Sequence, residues 1–200
     1  MNKNFSVIIC TLALLLSITS CNSRNIVNDL PEENVNPIEN LYVVEEAKHY
    51  EILKKGFDYY YYIYDDNRAI VYMSGFDFKM PKVTMVNDDI IKFRTQVGTG
   101  IGTSTTFYYN SKRDVLSRWF NSVYDETDEV VVFSYYKKLI VRDIFDKTIY
   151  YREFTEFNNI SDITEPFITV EFTNDGKSME VTYFTGEDYQ EFTEIVDLTY

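Results

Sequence analysis

The chain has 200 residues and a net charge of −13, with 18 Tyr, 15 Phe and one Trp. So acidic a chain repels phosphate backbones, which argues against a nucleic-acid partner. Its two cysteines, Cys10 and Cys21, both lie in the first 21 residues, so no disulfide is expected in the body of the protein and stability must come from burial. Each large aromatic side chain can supply about 150–250 Å² of that burial.

The N-terminus reads as an export signal. Lys3 and the amino group supply positive charge, Phe5 to Ile18 form an apolar run, and Thr19 and Ser20 precede Cys21. The run is shorter than the roughly 18 apolar residues a spanning helix needs. Ile18-Thr19-Ser20-Cys21 resembles the lipobox of exported bacterial lipoproteins. The resemblance implies cleavage before Cys21, a lipid thioether on its sulfur and acylation of the new N-terminus. Two or three acyl chains hold a protein stably on a membrane, whereas one does so only marginally. Residues 1–20 are thus expected to be a signal peptide. Residues 21–40 are the lipidated cysteine and a tether without aromatic residues, rich in Asn, Pro and Glu. The localisation that follows is a cell membrane or outer membrane, on the exported side.

Residues 41–200 are expected to form one all-β domain, since about 160 residues suffice for a single core. Glu45 to Lys55, closed by Gly56, reads as a short helix with a glycine cap. From Phe57 onward the pattern is strand and turn. Tyr59–Tyr64 leads through Asp65-Asp66-Asn67 to Ala69–Met73, and Lys82–Val86 through Asn87-Asp88-Asp89 to Ile90–Val97. Thr105–Tyr109 leads to Val115–Phe120, and Val130–Tyr135 to Leu139–Ile144. Phe167–Phe172 and Met179–Phe184 flank Asn174-Asp175-Gly176-Lys177, where Asp-Gly marks a tight hairpin; Glu191–Leu198 closes the chain. Short strands at this spacing suggest antiparallel hairpins forming an open propeller-like stack or a β-sandwich. Phe172–Lys177, Val141–Lys147 and Tyr108–Lys112 resemble blade segments of TolB-type propellers. That likeness implies a propeller-like fold and no common active site. At about 40–45 residues per blade the roughly 160 residues of the domain give fewer than four regular blades, so an open stack is favoured over a closed ring.

Few residues point to chemistry. His49 is the one histidine and lies in a charged stretch, where a solvent-exposed side chain is expected. With no Gly-x-Ser-x-Gly motif, hydrolase chemistry lacks support. One histidine without domain cysteines argues against zinc, and no metal or cofactor is expected. Asp125-Glu126-Thr127-Asp128-Glu129 lacks the spacing of a calcium loop and reads as an acidic turn. Two stretches are candidate binding surfaces. Gly98, Gly100 and Gly102 form a loop before a strand rather than before a helix, unlike a phosphate cradle. Tyr59, Tyr60, Tyr61 and Tyr62 place aromatic rings on both faces of one strand. The function expected is a non-enzymatic envelope module that binds a protein or a glycan. Inhibition of a cationic enzyme such as lysozyme, and a carbohydrate-active enzyme with paired carboxylates, are the alternatives.

Overall fold

The computed structural model describes residues 41–75, 77–96, 104–173 and 176–199. Asn40–Tyr200 forms a compact unit of its own. Its architecture is all-β, with no helix among the described residues. Four antiparallel sheets follow one another in sequence. The first holds β1 (Tyr42–Ala47), β2 (Tyr50–Lys55), β3 (Asp58–Tyr64) and β4 (Ile70–Met73) in that spatial order. The second holds β5 (Lys82–Met85), β6 (Ile90–Gln96), β7 (Ser104–Asn110) and β8 (Val115–Leu116), and β9 (Phe120–Asn121) also pairs with β7. The third contains β10 (Val123–Glu126), β11 (Val130–Tyr135), β12 (Lys138–Asp143) and β13 (Tyr151–Phe154). The fourth contains β14 (Phe167–Phe172), β15 (Ser178–Thr185) and β16 (Gln190–Asp197).

Apolar side chains join these sheets in series. Ile52, Tyr61, Ile63, Phe93 and Phe107 pack the first against the second. Ile90, Tyr108, Phe120, Val131 and Ile144 pack the second against the third. Leu139, Val141, Phe167, Met179, Val181 and Tyr183 pack the third against the fourth. Among the described residues no buried cluster joins the fourth sheet back to the first, so the stack is open. The outer face of the fourth sheet shows why stacking stops there. Its cross-strand rows run Thr169, Thr182, Thr193 and Glu171, Glu180, Ile195. A threonine and glutamate surface gains nothing from burial and leaves that face to water.

Three expectations are overturned. Val115 to Phe120 is not one strand: it is broken at residues 117–119 into β8 and β9, both paired with β7. Glu45–Lys55 is not a helix: it is the hairpin β1–β2, and Ala47 pairs with Tyr50 across a two-residue turn at Lys48-His49. Ile52 is wholly buried opposite Tyr61, and the gain from that long-range pairing outweighs the helical propensity of the segment. Gly56 still takes a left-handed backbone, φ 61°, in the turn between β2 and β3. The acidic turn also shifts. Asp125 and Glu126 belong to β10, and only Thr127 to Glu129 form the turn, where the Thr127 hydroxyl accepts the amide hydrogens of Glu129 and Val130.

The two ends of the stack differ in chemistry. At one end Asp and Asn side chains tie the turns. Asp65 accepts the amides of Asn67 and Ala69, Asn87 those of Asp89 and Ile90, Asn110 that of Arg113, and Asp143 those of Phe145 and Asp146. The opposite end carries the β2–β3 turn, the segment from Ser74 to Pro81, and the turns after β11 and β15. There Phe57, Phe78, Tyr135, Tyr136 and Tyr189 stand exposed.

Candidate functional site

The aromatic residues between the first two sheets form a graded stack that ends in an open pocket. Phe93 and Phe107 lie nearly parallel, with ring centroids 5.0 Å apart, and Tyr61 stacks on both. Phe107 then meets Trp119 at 4.4 Å, and Tyr72 meets Trp119 at 6.1 Å. Trp119 is 41% exposed, so its indole leaves the core and forms part of the surface. Offset and tilted contacts of this kind hold a ring in place while leaving one side free.

Tyr61, Tyr72, Ser74, Gly75, Asp77, Thr95, Thr105 and Trp119 enclose a cavity of about 280 Å³. Each wall has a local cause. Strand alternation turns Tyr61 inward from β3, and Tyr72 follows from β4 on the same side of the sheet. Ser74 is clamped to β3: its amide donates to the Tyr61 carbonyl at 2.9 Å, and its hydroxyl oxygen accepts the Tyr61 amide at 2.8 Å. Two backbone hydrogen bonds of 2.8 Å between Tyr59 and Asp77 hold the next turn of chain against the same strand. Thr95 and Thr105 pair with each other across β6 and β7.

Asp77 is the acidic group of the pocket. Its carboxylate accepts no hydrogen bond from the described residues, and partial burial holds its pKa above the usual carboxylate range. Its charge acts on its neighbours. The Tyr61 hydroxyl is pushed up first by burial and then by Tyr72 and Asp77, and that of Tyr72 is pushed up by burial and by Asp77. An indole face, two phenols, three hydroxyl side chains and one acceptor with spare capacity therefore converge on a small concave space. Such a mix of apolar lining and a few convergent polar groups is what small-ligand sites are made of.

The structure divides the tyrosine run. Tyr61 is buried in the pocket wall and belongs to no outer surface, which corrects its place in the candidate surface. Tyr59 packs at the margin of the same core and carries Lys54 over its ring at 5.1 Å. Tyr60 and Tyr62 alternate to the other face of β3, half-buried; Tyr62 neighbours Tyr64, and Arg68 caps the Tyr64 ring at 4.2 Å. Gly98, Gly100 and Gly102 lie outside the described residues, as does Cys21. Tyr72, Asp77 and Trp119 were not singled out by sequence. The one available signal is that Trp119 is the sole tryptophan and sits where Ser117-Arg118 interrupts the apolar run from Val115 to Phe120.

His49 is also corrected, because its side chain is only 11% exposed. Its Nδ1 lies 3.1 Å from the Tyr64 carbonyl and its ring meets the edge of Tyr109. It lines a larger cleft, about 580 Å³, at the Asp- and Asn-rich end between the same two sheets. The charges there largely satisfy one another, with Lys48 bonded to Asp66 at 2.5 Å and Lys112 3.7 Å from Asp89. In the smaller aromatic pocket the Ser74 hydroxyl donates to the Gly75 carbonyl and that of Thr105 to Asn121, but the Asp77 carboxylate accepts no hydrogen bond from the described residues, which makes this pocket the better candidate.

A third polar group is structural. Between the second and third sheets Lys92 donates to both oxygens of Glu126, at 2.6 and 2.5 Å, and the Tyr108 hydroxyl donates to Glu126 at 3.3 Å. Among the described residues no cluster of His, Cys, Asp or Glu could hold a metal ion, and no helix is long and apolar enough to cross a membrane. Set against known proteins, the chain matches no family model, no curated protein and no solved structure.

Proposed function

We propose that this protein is a lipid-anchored, non-enzymatic binding module of the cell envelope, and that its ligand is a glycan whose terminal ring enters the Trp119 pocket. The observation that carries this reading is the half-exposed Trp119 indole beside the Asp77 carboxylate, which accepts no hydrogen bond from the described residues. A sugar ring presents apolar C–H groups on its face and hydroxyl donors on its edge. The indole matches the first and the carboxylate, with Ser74, Thr95 and Thr105, matches the second. At about 280 Å³ the cavity lies at the small end of the range for ligand sites, which suits one ring rather than an extended chain. Hydrolysis of glycosidic bonds takes two carboxyl groups about 5–9.5 Å apart. Asp77 is the one carboxyl group among the described residues that line this pocket, which favours binding over turnover.

The sole tryptophan makes the test direct. Titration of glycan fragments from envelope polysaccharides is expected to change Trp119 fluorescence saturably. Followed by calorimetry, Trp119→Ala should weaken binding about fivefold, since a stacked ring is worth about 1 kcal/mol, and Asp77→Asn about tenfold or more, since a charge-assisted hydrogen bond is worth about 1.5–3 kcal/mol. Tyr62→Ala, on the far face, should change nothing. Fluorescence unmoved by every fragment would reject the pocket assignment. The anchor is tested apart from it. Growth with an alkyne-tagged fatty acid should label the wild-type protein and leave Cys21→Ala unlabelled; equal labelling of both would remove the lipid from the proposal.

A further inference from the structure

The end of the stack that carries the Trp119 pocket also carries two adjacent loops of unusual chemistry. One is Lys54-Lys55-Gly56-Phe57, at the turn between β2 and β3. The other is Phe78-Lys79-Met80-Pro81-Lys82, between β4 and β5. The backbone pairing of Tyr59 with Asp77 holds the second loop beside the first, so Phe57 and Phe78 share this end. Phe57 is 89% exposed and Phe78 77% exposed, with Met80 beside them at the surface. A phenyl ring held at a loop tip in water forgoes burial, whereas alternating Lys and Phe suit a boundary that is apolar on one side and anionic on the other.

Within the first two sheets this end is basic, in a chain of net charge −13: Lys54, Lys55, Lys79, Lys82 and Arg94 stand there with Asp58 and Asp77, whereas the part of the same end formed by the third and fourth sheets carries Asp162, Glu187 and Asp188. Lys82 and Arg94 stand directly opposite each other across β5 and β6, both exposed. Like charges facing across a strand pair destabilise it unless an anion relieves them. The strand directions add a third observation. β1 starts at Tyr42, which pairs with Lys54, so the chain enters the sheets from this same end.

We infer that this end is a docking surface for an anionic phospholipid bilayer, with Phe57 and Phe78 entering the headgroup–acyl boundary and the lysines and Arg94 meeting lipid phosphates. The inference rests on the proposed envelope location but needs neither the acyl group nor a sugar. Docking would fix the orientation of the domain and hold the Trp119 pocket at headgroup level.

The test uses the unacylated chain from Asn22 onward. The core clusters of the described residues lie between Ile52 and Leu198, within the compact unit Asn40–Tyr200, which this chain keeps whole. Co-sedimentation is measured with vesicles of phosphatidylcholine alone and with one third phosphatidylglycerol. Binding is expected to the anionic vesicles, with loss as salt rises. Phe57→Ser with Phe78→Ser should weaken it at least about tenfold, and Lys55→Gln with Lys82→Gln about fivefold per lysine. Each variant is checked for an unchanged Tm and an unchanged sugar titration at Trp119. Equal, weak sedimentation with both compositions, or full binding by the Phe57 and Phe78 double variant, would overturn the inference and leave those rings to a protein partner. Vesicle binding without any sugar response would instead overturn the glycan reading and leave docking intact.

Discussion

Asp77 shows how a single residue can be held at a cost to the fold. Its carboxyl is partly buried among Tyr61, Tyr72 and Trp119, accepts no hydrogen bond from the described residues, and has a raised pKa because burial disfavours the charge. A folded-state pKa above the unfolded one means the folded protein binds the proton more tightly. The stability this confers is fully present below the unfolded pKa and is lost as pH rises through the folded pKa, so at neutral pH the charge is a net penalty. Asp77→Asn keeps the shape and removes the charge. It should raise stability at pH 7, read as a higher Tm. The gain should shrink as pH falls through the raised folded pKa and vanish below the ordinary aspartate value of about 3.9. Thermal melts across that range test it, and a variant less stable than wild type at pH 7 would mean the carboxylate has a partner that stabilises it. Together with the expected loss of sugar binding, a gain in stability would mark Asp77 as a group kept for its site.

At the scale of elements, the strands with clear alternation or with Asp, Asn and Gly turns are legible in the sequence, among them β3, β6, β11, β14 and β15. The hairpin of β14 and β15 keeps Gly176 at φ 65°, as an Asp-Gly turn leads one to expect. The elements that escape do so for physical reasons. Glu45–Lys55 is rich in good helix formers, and nothing local in it reveals that Ile52 will be covered by Tyr61 from the next strand. β13, Tyr-Arg-Glu-Phe, alternates in length too short to register, and pairing with β12 is what makes it a strand. β10 hides its acidic residues in structural roles, since Asp125 accepts the Phe172 amide and Glu126 the Lys92 ammonium. The pocket was illegible because its walls come from five separate stretches, near residues 61, 72–77, 95, 105 and 119, joined only by pairing across two sheets. The tyrosine run pointed to the right strand, but β alternation sends only one side of it to the site.

At the scale of the whole molecule, the open stack makes the junctions between sheets unequal. The clusters on either side of the middle junction are almost wholly apolar, whereas the middle one shares its space with the Lys92–Glu126 pair and with Arg142. The Arg142 guanidinium is buried over the Phe120 ring, 5.6 Å from its centroid, and burial pushes its pKa down. Phe120 is the residue that holds this junction together, packed against Phe133 at 5.2 Å and Tyr108 at 6.0 Å. In a structure whose units touch only their neighbours, cooperativity depends on the interface terms being large compared with the differences between units. The wild-type domain should therefore unfold in one calorimetric transition. Phe120→Ala, at a cost of about 3–5 kcal/mol concentrated at the junction, should split it into two, one for the first pair of sheets and one for the second. Phe93→Ala, inside the first pair, removes a comparable ring without touching the junction and serves as the control. It should shift the single transition to lower temperature without splitting it, because the middle junction, with its Lys92–Glu126 pair, stays intact. A single transition in Phe120→Ala, merely shifted to lower temperature, would show that the four sheets fold as one unit and that the pocket and the docking end share the stability of the entire stack.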